Sequence, residues 1–186
     1  MKLNAKELRD IPIDEIKDEV TALKRVPLYL ILESVYDTYN IGGLFRLADA
    51  LAVEKIYLCG EMEIPPNHRI AKASIGTYKV VPWEYCVSAQ IAVEQLRQTW
   101  NVERGTPISV YAVEQDETSV PYTGVEYSLP TALIVGNETF GVTDETKKLA
   151  DKIIEIPMWG INKSLNVIVS AAIVSYHVME KTKSGV

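Results

Sequence analysis

The sequence predicts an α/β protein built on a mostly parallel sheet with helices on both faces. From Pro27 onward, short runs rich in Val, Ile, Leu and Tyr recur ("LYLILE", "KIYLC", "YKVV", "ISVYAVE", "TALIVG", "KIIEIP") and read as strands. Amphipathic stretches ("IGGLFRLADALA", "SAQIAVEQLRQTW", "DETKKLA") lie between several of them and read as helices. Such alternation implies parallel strands joined by crossover helices. Ligands of such sheets usually bind at the carboxyl ends of the strands, so the segments that follow strands carry the functional information.

The elements divide the chain unequally. Residues 1–26 hold Leu3, Leu8, Ile16, Val20 and Leu23 among many charges, and read as a short helical appendage of one or two amphipathic helices broken near Pro12. Residues 27–186 form the main domain, without repeats or a Ser/Gly linker. The final helix carries two apolar stripes: Leu165, Ile168, Val169, Ala172, Ile173 and Tyr176 on one face, Val167, Ala171, Val174 and Val178 on another. It therefore packs on two sides, against the sheet and against either a second subunit or the appendage.

Bulk properties exclude several classes. At 186 residues the chain buries an ordinary core without staples, and it has no apolar run long enough to span a membrane. "MKLNAKELRDIPIDEIKDEV" lacks the central apolar block of a signal peptide, which places the protein in the cytoplasm. Cys59 and Cys86 have neither CxxC spacing nor paired histidines nearby, so they read as idle thiols, with no metal site. A net charge of −6 argues against indiscriminate nucleic-acid binding. It leaves room for a local basic patch from Lys24, Arg25, Arg46, His68, Arg69, Lys72, Lys79 and Lys163.

Three strand ends carry polar clusters. In "YDTYNIGGLFRLADA", Asn40 caps a helix that starts near Ile41, Gly42 and Gly43 admit a close neighbour, and Arg46 follows one turn later. The arrangement suits an anion such as phosphate; the plain alternative is a capped helix with Arg46 solvated or paired to Asp49. In "LIVGNETFGV", Gly136 and Gly141 enclose a short loop with Asn137 and Glu138. Its spacing fits neither a nucleotide-triphosphate loop nor a dinucleotide fingerprint, and Glu138 alone could be a helix cap. In "IPMWGINKSLNV", Ser164 is a natural N-cap, which leaves Asn166 unexplained: a carboxamide in the first turn of an apolar helix needs a partner.

In order, these clusters resemble the three motifs of the SpoU/TrmH family of RNA ribose 2′-O-methyltransferases, within the SPOUT superfamily: "NIGGLFRLADA", "IVGNETFGV" and "IPMWGINKSLNVIVSAAIVSY". The resemblance covers roughly residues 27 to 180 and implies a C-terminal deep trefoil knot, a homodimer and S-adenosyl-L-methionine as cofactor. It also implies cofactor contacts from Gly136, Ile156 and Leu165, and catalytic or substrate-binding roles for Asn40, Arg46, Glu138, Ser164 and Asn166. The substrate it implies is RNA, tRNA before ribosomal RNA, with a non-catalytic RNA-binding protein as the alternative of another class. Methyl transfer to a hydroxyl needs alignment and a proton acceptor; Ser164, water and Glu138 share that role, and Arg46, always protonated, holds a phosphate. Two departures stand out. His177, expected to be a packing residue, replaces the acidic residue that often follows the motif-three tyrosine, and the separate N-terminal RNA-binding domain of many members is absent. Target recognition then falls partly to "PPNHRIAKASIGTYKVVPWEY", whose basic and aromatic residues suit phosphates and unpaired bases, or which is simply a loop with a strand.

Overall fold

A computed structural model describes residues 2–183. Seven strands form one sheet: β1 (Val26–Glu33), β2 (Val53–Cys59), β3 (Trp83–Cys86), β4 (Ser109–Val113), β5 (Val120–Pro121), β6 (Thr131–Val135) and β7 (Lys152–Glu155). Their order is β3-β2-β1-β6-β4-β7-β5, and every pairing is parallel. Because side chains alternate along a strand, Leu28, Leu30 and Leu32 of β1 enter one core while Tyr29 and Ile31 enter the other. Helices α3 (Thr38–Ala50) and α7 (Val167–Lys183) pack on the first core, and α5 (Ala89–Arg97) on the second. The chain runs outward from β1 to β2 and β3, then crosses to the other side of β1. The ends of β1 and β6 therefore lie side by side, with Leu32 opposite Val135, at the point where the winding reverses.

Local chemistry explains the remaining elements. Asn4 caps α1 (Ala5–Asp10) in a reciprocal box with Glu7, and α2 (Lys17–Ala22) follows a 3-10 turn at Ile13–Glu15. This N-terminal segment buries Leu8 and Ile16 and is held by the Lys79 ammonium, which donates to the carbonyls of Arg9 (2.8 Å) and Ile11 (3.4 Å). Asn67 caps α4 (His68–Ser74), accepting from the N–H groups of Arg69 and Ile70. Ser88 caps α5, which runs into a π-helical turn at Gln98–Glu103, and Thr143 caps α6 (Asp144–Lys147). Cys59 and Cys86 are opposite each other on β2 and β3, both buried as free thiols, and burial pushes both upward in pKa.

Several expectations need correction. "YKVV" is no strand: Thr77–Lys79 makes a 3-10 turn with the Val80 and Val81 N–H groups closing on the Thr77 carbonyl, and the strand comes later, at Trp83–Cys86. The helix of the first cluster starts three residues earlier than expected, because Asp37 takes the cap and accepts from Tyr39 N–H at 2.8 Å. Asn40 is therefore inside α3. Ser164 is not the cap of the last helix; α7 begins at Val167, and Asn166 caps it by accepting from Ile168 N–H at 2.8 Å. Arg25 and Lys79 do not belong to a basic patch, since Arg25 donates to the carbonyls of Val53 (3.3 Å) and Val80 (2.6 Å) and Lys79 to the N-terminal segment.

Candidate active site

Everything at the site follows from three loops meeting at the carboxyl ends of β1, β6 and β7. Glu138, on the loop after β6, receives the Asn40 amide at 2.9 Å and the N–H groups of Tyr36 (3.1 Å) and Asp37 (3.2 Å). Asn40 in turn accepts the Asn166 amide at 2.9 Å. Asn166 spends its oxygen on the α7 cap and its N–H on Asn40, which answers why a carboxamide stands there. A second tie runs from the Asn137 amide to the Ser34 carbonyl at 2.7 Å, while the Asn137 oxygen accepts from Thr139 and Phe140 N–H. The loop closes through a backbone bridge between Asn137 and Gly141.

Glycines set the approach distances. A Cβ on Gly42 would lie 2.5 Å from the Cβ of Ala73 in α4, and one on Gly43 would lie 2.3 Å from Ile168 Cδ1 in α7. On Gly136 it would meet the Gly141 carbonyl carbon at 2.1 Å, so the loop after β6 can fold back on itself only with glycine there.

A cleft of about 470 Å³ opens between these loops, within the ~300–1,000 Å³ range of small-molecule and cofactor sites. Gly136, Glu138, Ile156, Ser164, Leu165 and Asn166, all expected site residues, line it together. Asn40 stands just behind the wall, buried and bonded to two of them. Ser164 is exposed to the cleft, its N–H on the Asn162 side-chain oxygen at 3.2 Å. Arg46 is the exception: it projects from the exposed side of α3, outside the residues that line the cleft.

Other contributors were not anticipated as site residues. Glu114, after β4, lines the cleft and accepts Val142 N–H at 2.9 Å, while buried Glu33 at the end of β1 accepts the N–H and hydroxyl of Thr143. Their signal was positional: each is an acidic residue at a strand's carboxyl end, facing a loop rich in N–H donors. His177 packs edge-on against the rings of Tyr122 and Tyr127, with centroids 5.0 and 5.7 Å away, and belongs to the core. Among the described residues, no group of three or more His, Cys, Asp or Glu could hold a metal ion, and no helix is long and apolar enough to cross a membrane.

The cleft suits a cationic, partly apolar cofactor. Ile156, Leu165, Met158 and Val135 supply apolar walls, Glu114, Glu138 and Glu155 outweigh Lys163 in charge, and the Gly136 turn supplies room for close backbone approach.

Fold and site together define a cofactor-binding α/β protein whose cleft is assembled from strand-end loops. The chain belongs to the SpoU rRNA Methylase family, whose model matches residues 27–176. It is 31% identical to a tRNA (guanosine(18)-2′-O)-methyltransferase of Thermus thermophilus over 169 residues, 90% of this chain and 82% of that one. The fold matches the crystal structure of the A. aeolicus TrmH/SpoU tRNA modifying enzyme with a TM-score of 0.73 and 28% identity, over 97% of this chain and 83% of that one. It also matches an AdoMet-bound rRNA methyltransferase from Sinorhizobium meliloti (TM-score 0.73, 26% identity) over 93% of this chain, but only 59% of that longer one.

The Glu138 bonds have a measurable consequence. Burial pushes its carboxyl upward, but hydrogen bonds from Asn40 and from the N–H groups of Glu138 itself, Tyr36 and Asp37 outweigh this and hold it below its ordinary 4.5. A carboxyl depressed on folding contributes stability that is complete above its unfolded value and is lost as pH falls through the folded one. Unfolding midpoints in urea should therefore drop more steeply below about pH 4.5 for the wild type than for Glu138→Gln. Parallel pH profiles for the two proteins would show that this clamp does not hold the loops.

Proposed function

We propose that this chain is an S-adenosyl-L-methionine-dependent methyltransferase that places a methyl group on a ribose 2′-hydroxyl of RNA, with tRNA as the substrate. The observation that carries the reading is the joining of Asn40, Glu138 and Asn166 by hydrogen bonds at the rim of a cofactor-sized cleft, in a chain 31% identical to a tRNA 2′-O-methyltransferase. Ribosomal RNA is the second reading, favoured by the similarity to the S. meliloti enzyme. Residues 27–186 constitute the methyltransferase domain and 1–26 its helical appendage. Passage of the segment after β7 through a trefoil knot, and a cytoplasmic location, belong to the same reading.

When bound, S-adenosyl-L-methionine supplies a methyl group activated by an adjacent sulfonium. Gly136, Ile156 and Leu165 hold that cofactor through backbone groups and apolar walls. Ser164 and the second N–H of Asn166, the one not donated to Asn40, orient the ribose, so that alignment supplies most of the rate. Glu138 is engaged by three donors from other residues and stays a weakly basic carboxylate, so its part is to fix Asn40. Proton removal then falls chiefly to water held by Ser164. Arg46 grips the phosphate beside the reactive ribose, and it does so from a second subunit. Two features support a homodimer: Arg46 lies outside its own chain's cleft, and part of the outer stripe of α7 is left open, Val169 being 44% and Tyr176 54% exposed while Ile168 and Ala172 pack on the chain's own core.

Mass spectrometry of nucleosides tests the reaction. After incubation of unmodified tRNA and, separately, ribosomal RNA with protein and labelled cofactor, labelled 2′-O-methylnucleoside is expected in the tRNA pool and should fall at least tenfold in Ser164→Ala/Asn166→Ala. Cofactor binding without label in either pool would favour a non-catalytic RNA-binding protein. The two-subunit site has its own test. Arg46→Ala and Asn166→Ala should each be nearly inactive alone, yet recover activity when unfolded and refolded together, because half of the sites in a mixed dimer are intact. No recovery, or a monomer by light scattering, would place Arg46 outside the site.

A further inference from the structure

The chain carries 19 Lys and Arg against 25 Asp and Glu, so an RNA strand meets overall repulsion and must be held by a local strip of cations. Most basic side chains near the sheet are already committed. Arg25 and Lys79 donate to backbone carbonyls, Lys55, Arg97 and Lys147 are in ion pairs, and Arg104 lies over the Trp100 ring. A different pattern holds on α4. His68, Arg69 and Lys72 fall at i, i+1 and i+4, share its outer face and are all exposed, while Ile70 and Ser74 are buried on the inner face. None of the three side chains, nor that of Arg46, has an ion pair or hydrogen bond among the described residues.

The position of α4 gives these charges a purpose. Its C-terminal end lies against the first turns of α3, where Gly42 allows Ala73 to approach. Gly42 is two residues from Asn40 and four from Arg46, so the outer face of α4 flanks the helix that carries both. The following turn is capped by the N-terminal segment, with the Leu8 carbonyl 2.7 Å and the Arg9 nitrogen 3.3 Å from where a Gly76 Cβ would be. Glu61 and Glu63 precede the helix, with Glu63 occupied by the Asn67 amide at 3.1 Å, and the N-terminal segment at its other end brings Glu7 and Asp10.

We infer that the outer face of α4, with Arg46 beside it, is a phosphate track that leads the RNA backbone toward the cleft Arg46 serves, that of the second subunit. A seven-residue helix is about 10 Å long. Arg69 and Lys72 lie three residues apart on it, about 4.5 Å along the axis, so their side chains reach neighbouring phosphates of one strand, with His68 beside them. The track reads no base; it fixes register, and its α4 residues supply on the catalytic domain itself an RNA contact outside the reacting residues. The assignment rests on the RNA reading of the cleft, and names where that RNA lies.

The test is the salt dependence of binding to unmodified tRNA for the full chain, Arg69→Ala/Lys72→Ala, and a control pair of equal charge change, Lys148→Ala/Lys152→Ala, on the α6–β7 side. Loss of two phosphate contacts should lower the slope of log affinity against log salt by about 1.4–1.8, raise KM for RNA about tenfold and leave kcat and cofactor KM within about twofold. The control pair should keep the wild-type slope. If the double variant matches wild type while the wild type methylates RNA, the track is wrong and the cleft reading stands. Equal losses in both pairs would make the effect one of net charge and also overturn it. A wild type that binds cofactor but methylates no RNA would instead remove the reading beneath it. Cofactor affinity confirms that each variant is folded.

Discussion

The Asn40 carboxamide is the junction on which the site depends. One side of it donates to Glu138 on the loop after β6, and the other accepts from Asn166 ahead of α7, partners 98 and 126 residues away in the chain. Buried within α3, it has no water to fall back on, so losing either partner would leave a polar atom stranded at a cost of about 1–3 kcal/mol. Asn166 carries a matching double duty, because the amide that meets Asn40 belongs to the residue that caps α7. The position of the last helix and the shape of the cleft are thus fixed by the same side chain.

That junction exists because of the sheet. Winding outward from β1 and returning on its far side brings the ends of β1 and β6 together, and their loops then stand within hydrogen-bond reach. Carboxylates at strand ends complete the frame, Glu33 holding Thr143 and Glu114 holding Val142. Glycines at 42, 43 and 136 remove the atoms that would keep these parts separated. Polar ties give the loops direction while the two apolar cores hold the strands, and each depends on the other's placement.

Much of this was legible from residue order. Long apolar runs with clear periodicity located β1, β2, β4, β6 and β7, and the coincidence of three polar clusters after strands pointed to Asn40, Glu138, Ser164 and Asn166. Short or half-exposed elements were less visible. β3 is a four-residue edge strand preceded by Pro82, which reads as a breaker but is tolerated at an edge. "YKVV" has strand composition, yet it follows Gly76 at φ +94°, and a tight turn there meets the N-terminal segment. The caps lie two or three residues from the expected ones because Asp37 and Asn40, or Ser164 and Asn166, are equally good caps in isolation. Only contacts across about a hundred residues decide which of them is free to do something else.

The central claim is that Asn40 and Asn166 act as one unit in building the cleft. A double-mutant cycle on Asn40→Ala and Asn166→Ala, read by calorimetric affinity for S-adenosyl-L-methionine and by urea unfolding, measures this directly. The account predicts a coupling of about 0.5–3 kcal/mol, the second substitution costing much less once the first is made. Losses that simply add, within about 0.3–0.5 kcal/mol, would contradict it.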